Sequence, residues 1–392
     1  MTAAGLDRAP TGCERVARAT NPPSTRGDRM HRTTLTIGSC LALVIALLLG
    51  TTQSSNADRL RSTPAAALVS GTGHGAWNGP DPLAIDTTGT GGSYSLRDPN
   101  RFNLLCKSYR TGNVYTKSVN DWGDGNPTRL ETACVDAMWA AQKQFDMFRN
   151  WLGRNGQNAQ GGAWPLRVGL PDVGLYWNST SKTIDIGHTG PTYDTWVTQM
   201  DLVGREYGHA VDETAPGWPF RDPGLAEGFA DIMGTLTEAY ANEPLPYDEP
   251  DYLIGEKVNL LGTGPLRFMY DPSLAGHENC YSSAIPTMEE YRASGVLNHW
   301  FYLLAEGSSP GGGKPTSPTC NNSTVTGVGI RMAGKVVHQA LQMRVKGTGY
   351  GRERLLTLAA AKQLDPTCVV FRATQAAWNA VRVPVGPDPL CP

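Results

Sequence analysis

Apolar residues recur every three or four positions in several stretches of the chain, which predicts amphipathic helices. In the first of these stretches, Phe145, Phe148 and Trp151 lie on one stripe that would face the core. Asp194 is a candidate N-terminal cap for the second helix, on which Trp196 would be an apolar position. Helices are predicted over 132–152, from Asp194 to about 211, from Gly224 to Asn242, and over 292–305, 328–345, 352–364 and 370–382.

The residues before and between the first helices follow a different pattern. Residues 73–130 are rich in Gly, Ser and Thr and contain short alternating segments such as 94–96, which predicts strands and turns. Residues 165–187 return to this pattern, and 174–178 (GLYWN) has the features of an edge strand followed by a turn. A β-rich first half followed by a largely helical second half predicts the α+β class.

Residues 1–57 have the features of a targeting segment. Arginines precede a short apolar run at 41–49, and small residues follow it, as in a secretory signal peptide with its cleavage site. The run is short for a membrane-spanning helix, so we expect no stable membrane span. The alternative is an uncleaved anchor. Residues 58–72 are predicted to be a small-residue linker.

Composition narrows the function classes. The chain has 392 residues, 40% of them hydrophobic, and a net charge of −2, which is typical of a globular protein. The absence of a basic excess argues against a nucleic-acid partner. Six of the eight cysteines follow the targeting segment, and an even number in an exported chain suggests disulfides. Several pairings are possible, and pairing between sequence neighbours would give 106–134, 280–320 and 368–391.

The candidate chemistry lies in 201–231, DLVGREYGHAVDETAPGWPFRDPGLAEGFAD. Zinc proteases place two His at i and i+4 of a helix, with a Glu between them as general base. His209 occupies the i+4 position and Glu206 the position of the base, but the i position is Arg205. Glu227, on the next predicted helix, is a candidate third ligand. A catalytic zinc needs three protein ligands and an open position for water.

Several segments resemble the thermolysin family of neutral metalloproteases over about 73–385. They are SLRDPNR, NDWGDG, CVDAMWAAQKQFDMF, GLYWN, DLVGREYGHAV, EGFADIMGTLTEAYAN, DYLIGE, PLRFMYDP, SGVLNHWFYLL and GVGIRMAGKVVHQAL. The resemblance implies a two-lobed fold with the active-site cleft between the lobes. A β-rich N-terminal lobe over 73–210 would end in the zinc-motif helix, and a mainly helical C-terminal lobe would cover 211–392.

The resemblance also implies roles for individual residues. Glu206 would be the general base, His209 and Glu227 residual zinc ligands, and Arg267 the group that binds the substrate carbonyl. Tyr291 falls where the family has a catalytic His, and it could donate a hydrogen bond to an oxyanion. Further departures from the family pattern are Phe220 for a catalytic Tyr, Ala226 for a supporting Asn and Gly174 for the edge-strand Asn.

A calcium site is a second implication of the resemblance. The family's calcium carboxylates correspond to Asp201, Glu238, Asp251 and Glu256, with a short insertion in the 243–250 loop. Carboxylate oxygens suit calcium rather than zinc, and converging carboxylates without a basic partner need such a cation. Calcium is therefore the expected cofactor.

The presence of Arg205 determines the zinc affinity that we expect. A guanidinium stays protonated and has no acceptor atom, so it cannot bind zinc and would repel it. We expect zinc affinity to fall by orders of magnitude and Arg205 to pair with Asp231 or Glu227 instead. A replacement ligand could come from another histidine. The candidates are His188, His277, His299 and His338, and the last two are more typical of core histidines.

Two functions remain open from the sequence. The first is a secreted, monomeric pseudopeptidase that binds peptide or protein in its cleft and has weak or lost hydrolysis. The alternative is an active secreted zinc metalloendopeptidase that uses Glu206 as general base with an unusual metal site. Loss of several groups that act as one catalytic unit favours the first.

Overall fold

The computed structural model describes residues 67–190 and 195–391. The targeting segment predicted over 1–57 lies outside this range. The first strand begins at Ala67, so the second half of the predicted 58–72 linker belongs to the fold. Among the described residues, every helix is too short or too polar to cross a bilayer.

The described part of the N-terminal half contains two sheets. The strands are β1 (Ala67–His74), β2 (Leu83–Thr90), β3 (Ser93–Ser95), β4 (Cys106–Ser108), β5 (Thr116–Lys117), β6 (Asp121–Gly123), β7 (Leu166–Val173), β8 (Leu175–Asn178) and β9 (Thr183–His188). The first sheet has the order β5-β3-β2-β1-β6, and its pairs are antiparallel except β1 with β6. The second has the order β4-β7-β9-β8, and β8 forms its antiparallel edge. The edge strand predicted over GLYWN is therefore confirmed.

Within the described residues, seven α-helices follow the predicted order. They are α1 (Leu130–Met147), α2 (Met200–Thr214), α3 (Pro223–Ala241), α4 (Glu290–Ala305), α5 (Ile330–Gln342), α6 (Tyr350–Leu364) and α7 (Val369–Ala380). A π-helical turn, Phe148–Leu152, extends α1. Short elements between α3 and α4 include the ribbon β10 (Leu253–Ile254) and β11 (Arg267–Phe268).

The start of α2 differs from the prediction. The helix begins at Met200 with Gln199 as its N-cap, and the predicted cap Asp194 lies outside the described residues. Trp196 pairs as an isolated bridge with His188 at the end of β9, so its apolar side chain reflects packing beside the sheet rather than a helical stripe.

Small residues bring α2 and α3 together. A Cβ added to Gly208 would lie 2.9 Å from the Cα of Ala230, and one added to Gly234 would lie 2.3 Å from the backbone oxygen of Asp201. Only glycine permits such close backbone approach at these two positions. The charged side chains of the two helices are therefore held side by side in the interior.

Of the pairings that the sequence leaves open, the described residues show the one between sequence neighbours, in three disulfides. They are Cys106–Cys134, Cys280–Cys320 and Cys368–Cys391, with Cα–Cα distances of 5.8, 5.9 and 5.9 Å. The first ties β4 to α1, the second ties the segment before α4 to the segment before α5, and the third ties α7 to the C-terminal residues.

A guanidinium in a candidate metal centre

Helices α2 and α3 position the candidate catalytic groups. Glu206 and His209 lie three residues apart on α2 and share a face of it, while Glu227 and Asp231 lie four apart on α3. Because the two helices pack closely, all four side chains reach one buried region. The structure therefore brings these four predicted residues together in one cluster.

Arg205 lies in the middle of the cluster and is only 8% exposed. Its Nε donates to Asp231 Oδ1 at 2.9 Å, its Nη1 donates to Glu206 Oε1, and its Nη2 donates to Glu227 Oε2. The predicted ion pair is thus confirmed with both named partners. Burial opposes the charge, but the three carboxylates, Glu227 foremost, raise the pKa of Arg205 well above its usual value.

Asp231 joins two guanidinium groups. Its Oδ2 lies 3.1 Å from Arg267 Nε and accepts a hydrogen bond from Asn298 Nδ2 at 2.8 Å. Asp231 is fully buried, which favours the neutral acid, but Arg267 and Arg205 together hold its pKa below the usual range. A carboxylate that is paired on both oxygens fixes α3 against α2, α4 and β11.

Both oxygens of the candidate general base are engaged. Glu206 Oε1 accepts from Arg205, and Glu206 Oε2 accepts from the backbone N–H of Trp177 at 2.8 Å. Trp177 belongs to the edge strand β8, so this bond links α2 to the edge of the second sheet. A general base must have an oxygen within reach of the proton that it removes. In this arrangement the two oxygens bind a cation and an amide instead.

The remaining pair of zinc-type ligands is His209 and Glu227. His209 Nε2 lies 3.7 Å from Glu227 Oε1. Burial and then the nearby Arg205 lower the pKa of His209 to about 4, so its imidazole is neutral. The other Glu227 oxygen accepts from Arg205, whose guanidinium has no lone pair to offer a metal. The residues present therefore do not fit a catalytic zinc ion.

Within the described ranges, no other histidine supplies the missing zinc ligand. His299 is a satisfied core residue, as predicted, because its Nδ1 bonds the Asn279 carbonyl and its Nε2 bonds Ser317 Oγ. His338 lies on α5 and lines a different pocket, with its Nε2 lacking a hydrogen-bond partner. Across 67–190 and 195–391, the three-residue set that could hold a metal lies away from His209.

Tyr291 and Arg267 lie together at the edge of the cluster. The Arg267 guanidinium lies 5.1 Å from the centre of the Tyr291 ring, a cation–π distance. Tyr291 is 44% exposed, whereas Arg267 is buried and paired with Asp231. Tyr291 therefore presents an exposed aromatic ring beside the buried cluster.

A group of carboxylates, separate from the Arg205 cluster, lies near the end of α3. Glu238, Asp248 and Glu256 form the set that could hold a metal, and neither carboxylate oxygen of Glu238 or Glu256 has a hydrogen-bond partner. Burial and then the neighbouring carboxylates raise the pKa values of Glu238 and Asp248 well above their usual range. Unpartnered buried carboxylates are costly unless a cation binds them, so this donor set fits calcium.

The other two predicted calcium residues border this set. Asp201 accepts from the Gly255 amide at 2.7 Å, and burial followed by Glu256 raises its pKa well above the usual range. Asp251 accepts from the Leu253 amide at 2.7 Å, and burial and then Glu256 raise its pKa to about 7. Both therefore lie close to the charges of the cluster.

Sequence reasoning missed three contributors. Asp248 lies in the 243–250 loop, which we treated only as an insertion, although its acidic segment YDEPD was a usable signal. Asn298, four residues after Ser294, had no distinguishing pattern. Trp177 acts through its backbone N–H, which no side-chain pattern can reveal.

Comparison with known proteins identifies the family. The model of the thermolysin metallopeptidase catalytic domain matches residues 70–213, and the model of the thermolysin metallopeptidase alpha-helical domain matches residues 221–383. The chain belongs to the thermolysin family. The two matches follow each other along the chain. Together they include the Arg205 cluster and the carboxylates of Glu238, Asp248 and Glu256.

Individual relatives agree with this assignment. The chain is 35% identical over 329 residues to the transglutaminase-activating metalloprotease of Streptomyces mobaraensis, covering 80% of this chain and 42% of the relative. It is 29% identical over 328 residues to bacillolysin of Bacillus cereus, covering 80% and 55%. The chain thus spans about half the length of the curated relatives it matches.

A solved structure shares the fold. The precursor of protealysin, a metalloproteinase from Serratia proteamaculans, matches with a TM-score of 0.52 and 20% identity, covering 72% of this chain and 87% of that one. At this identity the match supports the thermolysin-like α+β fold alone. Within the family, the expected correspondence places Arg205 where a zinc-binding His stands.

Replacing Arg205 with leucine should destabilise this thermolysin-family chain by about 3–5 kcal/mol, because three buried carboxylates would lose their shared cation. The free energy of unfolding in urea measures the effect. Arg352→Leu on α6 is the matched control, since Arg352 is exposed and should change stability by less than about 0.5 kcal/mol. Equal effects of the two substitutions would show that the Arg205 cluster does not stabilise the fold.

Proposed function

We propose that this chain is a pseudopeptidase: a thermolysin-family protein that binds peptide or protein in its cleft without zinc-dependent hydrolysis. The observation that carries the proposal is the Arg205 guanidinium among Glu206, Glu227 and Asp231. It pairs with the carboxylates that a zinc centre would use and leaves no ligand set for the ion among the described residues. The family reaction depends on a metal to polarise the carbonyl and acidify water.

Peptide binding is supported by the sheet edge. Strand β8 is the terminal strand of its sheet, and an extended peptide can add to such an edge by backbone hydrogen bonds, apart from the Trp177 N–H, which already donates to Glu206. Tyr176 on β8 and Tyr291 on α4 are each 44% exposed and offer aromatic surface to a ligand. We place the ligand in the cleft beside Trp177, where the family resemblance puts substrate.

The remaining parts of the proposal concern location and cofactor. Three disulfides are typical of exported proteins, so we propose a secreted, calcium-binding monomer. Calcium would be held by Glu238, Asp248 and Glu256 with Asp201 and Asp251 nearby, and it would supply the charge that these carboxylates lack. In this scheme calcium stabilises the fold and has no catalytic step.

An assay of labelled casein tests hydrolysis and binding separately. We expect no turnover above background, no change with a zinc chelator or with Glu206→Gln, and saturable binding by fluorescence anisotropy. Turnover that is abolished both by the chelator and by Glu206→Gln would establish the alternative, an active zinc endopeptidase. Absence of any saturable binding would refute the peptide-binding part of the proposal.

A further inference from the structure

A pocket of about 360 Å³ lies between the π-helical turn after α1 and helix α5. Residues 149–153 form one wall, and Arg331, Lys335 and His338 of α5 form the other. The α5 residues are spaced by four and three, so they share one face of that helix. None of the residues that line this pocket belongs to the Arg205 cluster or to the acidic cluster, so the pocket is separate from both.

The charge around this pocket is one-sided. Arg149, Arg331 and Lys335 line it, and no Asp or Glu does. The sequence explains the imbalance, because residues 147–171 and 307–352 contain no acidic residue in a chain with 36 of them. These two acid-free segments meet at the pocket. Three cations around one concavity of ligand size would attract an anion.

The basic groups are also partly fixed in place. Arg331 Nη2 donates to the Asn150 carbonyl at 3.0 Å, which holds the guanidinium against the opposite wall. Nearby Arg154 is buried and its guanidinium donates only to the Gln157 carbonyl, at 2.8 Å from Nη2. Burial without a carboxylate partner lowers the pKa of Arg154 to about 10. The fold therefore keeps positive charge here without an internal counter-ion.

His338 supplies an unused hydrogen-bonding atom. Its Nε2 is buried and has no hydrogen-bond partner, which is unusual because buried polar atoms are normally paired. Burial and then Arg154 lower the pKa of His338 to about 4, so the ring is neutral and can donate through one nitrogen. Because His338 lines the pocket, a shift of its ring would bring this nitrogen to an oxygen of a bound anion. The apolar wall of Trp151 and Leu364 could contact an organic part of the ligand.

We propose that this pocket binds a phosphate group, free or attached to a larger molecule, through Arg149, Arg331, Lys335 and His338. A phosphate has several acceptor oxygens and up to two negative charges, which matches several converging cations better than a single carboxylate does. Arg331 can bind two phosphate oxygens through its planar guanidinium, and Lys335 adds a point charge.

Calorimetric titration of the full chain with inorganic pyrophosphate at constant ionic strength tests the proposal. We expect saturable binding that weakens by about tenfold or more in the double variant Arg331→Gln/Lys335→Gln, since charge-assisted hydrogen bonds are lost. The double variant Lys346→Gln/Arg352→Gln is the matched control. It removes the same charge from exposed positions of the same acid-free segment, outside the pocket, and should bind within about twofold of the unaltered chain.

Binding to vesicles identifies the source of the phosphate. Vesicles of phosphatidylglycerol with phosphatidylcholine are compared with vesicles of phosphatidylcholine alone, using the same two double variants. Binding of pyrophosphate or of the anionic vesicles that depends on Arg331 and Lys335 supports the site and shows whether the ligand is free or a lipid headgroup. No saturable binding to either probe, or equal binding by both double variants, would overturn the proposal.

Discussion

Replacing Arg205 with histidine should create a zinc site and raise zinc affinity by about a thousandfold. The change supplies the missing imidazole four residues before His209 and removes a permanent cation from the position of the metal. Like-charge contact over a few ångströms costs about 4 kcal/mol at intermediate dielectric, which corresponds to about three orders of magnitude in binding. Zinc content per chain, measured by elemental mass spectrometry after dialysis against trace zinc and calcium, records the result.

The structure explains why histidine should fit there. Asp231 is already positioned by Asn298 and Arg267, and its Oδ1 is the oxygen that now accepts from Arg205 Nε. That oxygen would become available to orient the ring of the new histidine, and such outer contacts fix the orientation of a metal-binding imidazole. Glu227 would also regain the oxygen that now accepts from Arg205 Nη2.

Arg205→Gln is the matched control for this experiment. It removes the guanidinium and its charge but supplies no imidazole, so it should remain without zinc. If the unaltered chain already holds one zinc per chain, a substitute ligand exists and the alternative of an active protease regains support. Hydrolysis by the Arg205→His variant, if it appears, should disappear when Glu206→Gln is added.

The fold was predictable from sequence because its signals are local and periodic. The stripe containing Phe145 and Phe148 predicted α1, and the alternation in GLYWN predicted β8. The start of α2 was less predictable, since Trp196 continues the helical spacing before the helix begins and packs beside the sheet. The spacing of apolar residues shows which side chains are buried. It does not show whether the residues just before a helix are helical or extended.

The candidate site was predictable in its charges and less so in its geometry. A cation beside buried carboxylates must find a partner, so pairing of Arg205 with Asp231 or Glu227 followed from sequence and from the family resemblance. The bond from the Trp177 amide to Glu206 could not be predicted, because every residue except proline has such a donor. Asp248 reaches the acidic cluster through an irregular loop, whose path has no periodic signal.

The Arg205 cluster also shows how one charge can replace another. In the family arrangement that the resemblance implies, a divalent metal and a basic residue balance the acidic groups. Here Arg205 and Arg267 pair with three carboxylates, and each of the three nitrogens of the Arg205 guanidinium donates to one of them. The cluster therefore serves as a tie between α2 and α3, which explains how the helices can stay packed without zinc.

Removing calcium should cause a large loss of stability. A protein held at a calcium concentration about a thousandfold above its Kd gains about 4 kcal/mol, and chelation by EGTA removes that gain. Without calcium, the buried carboxylates of Glu238 and Asp248 would lie beside other carboxylates and have no counter-ion. Thermal unfolding with calcium and with EGTA measures the difference, which should be a fall in Tm of about 5 °C.

A substitution within the cluster separates calcium binding from general charge effects. Glu238→Gln keeps the shape of the side chain, removes one ligand charge and should abolish most of the EGTA effect. Glu249→Gln removes the same charge from the same region, but Glu249 pairs with Lys257 and lies outside the ligand set. It should leave the calcium dependence intact. If both variants respond to EGTA as the unaltered chain does, the carboxylates at the end of α3 do not hold the stabilising ion.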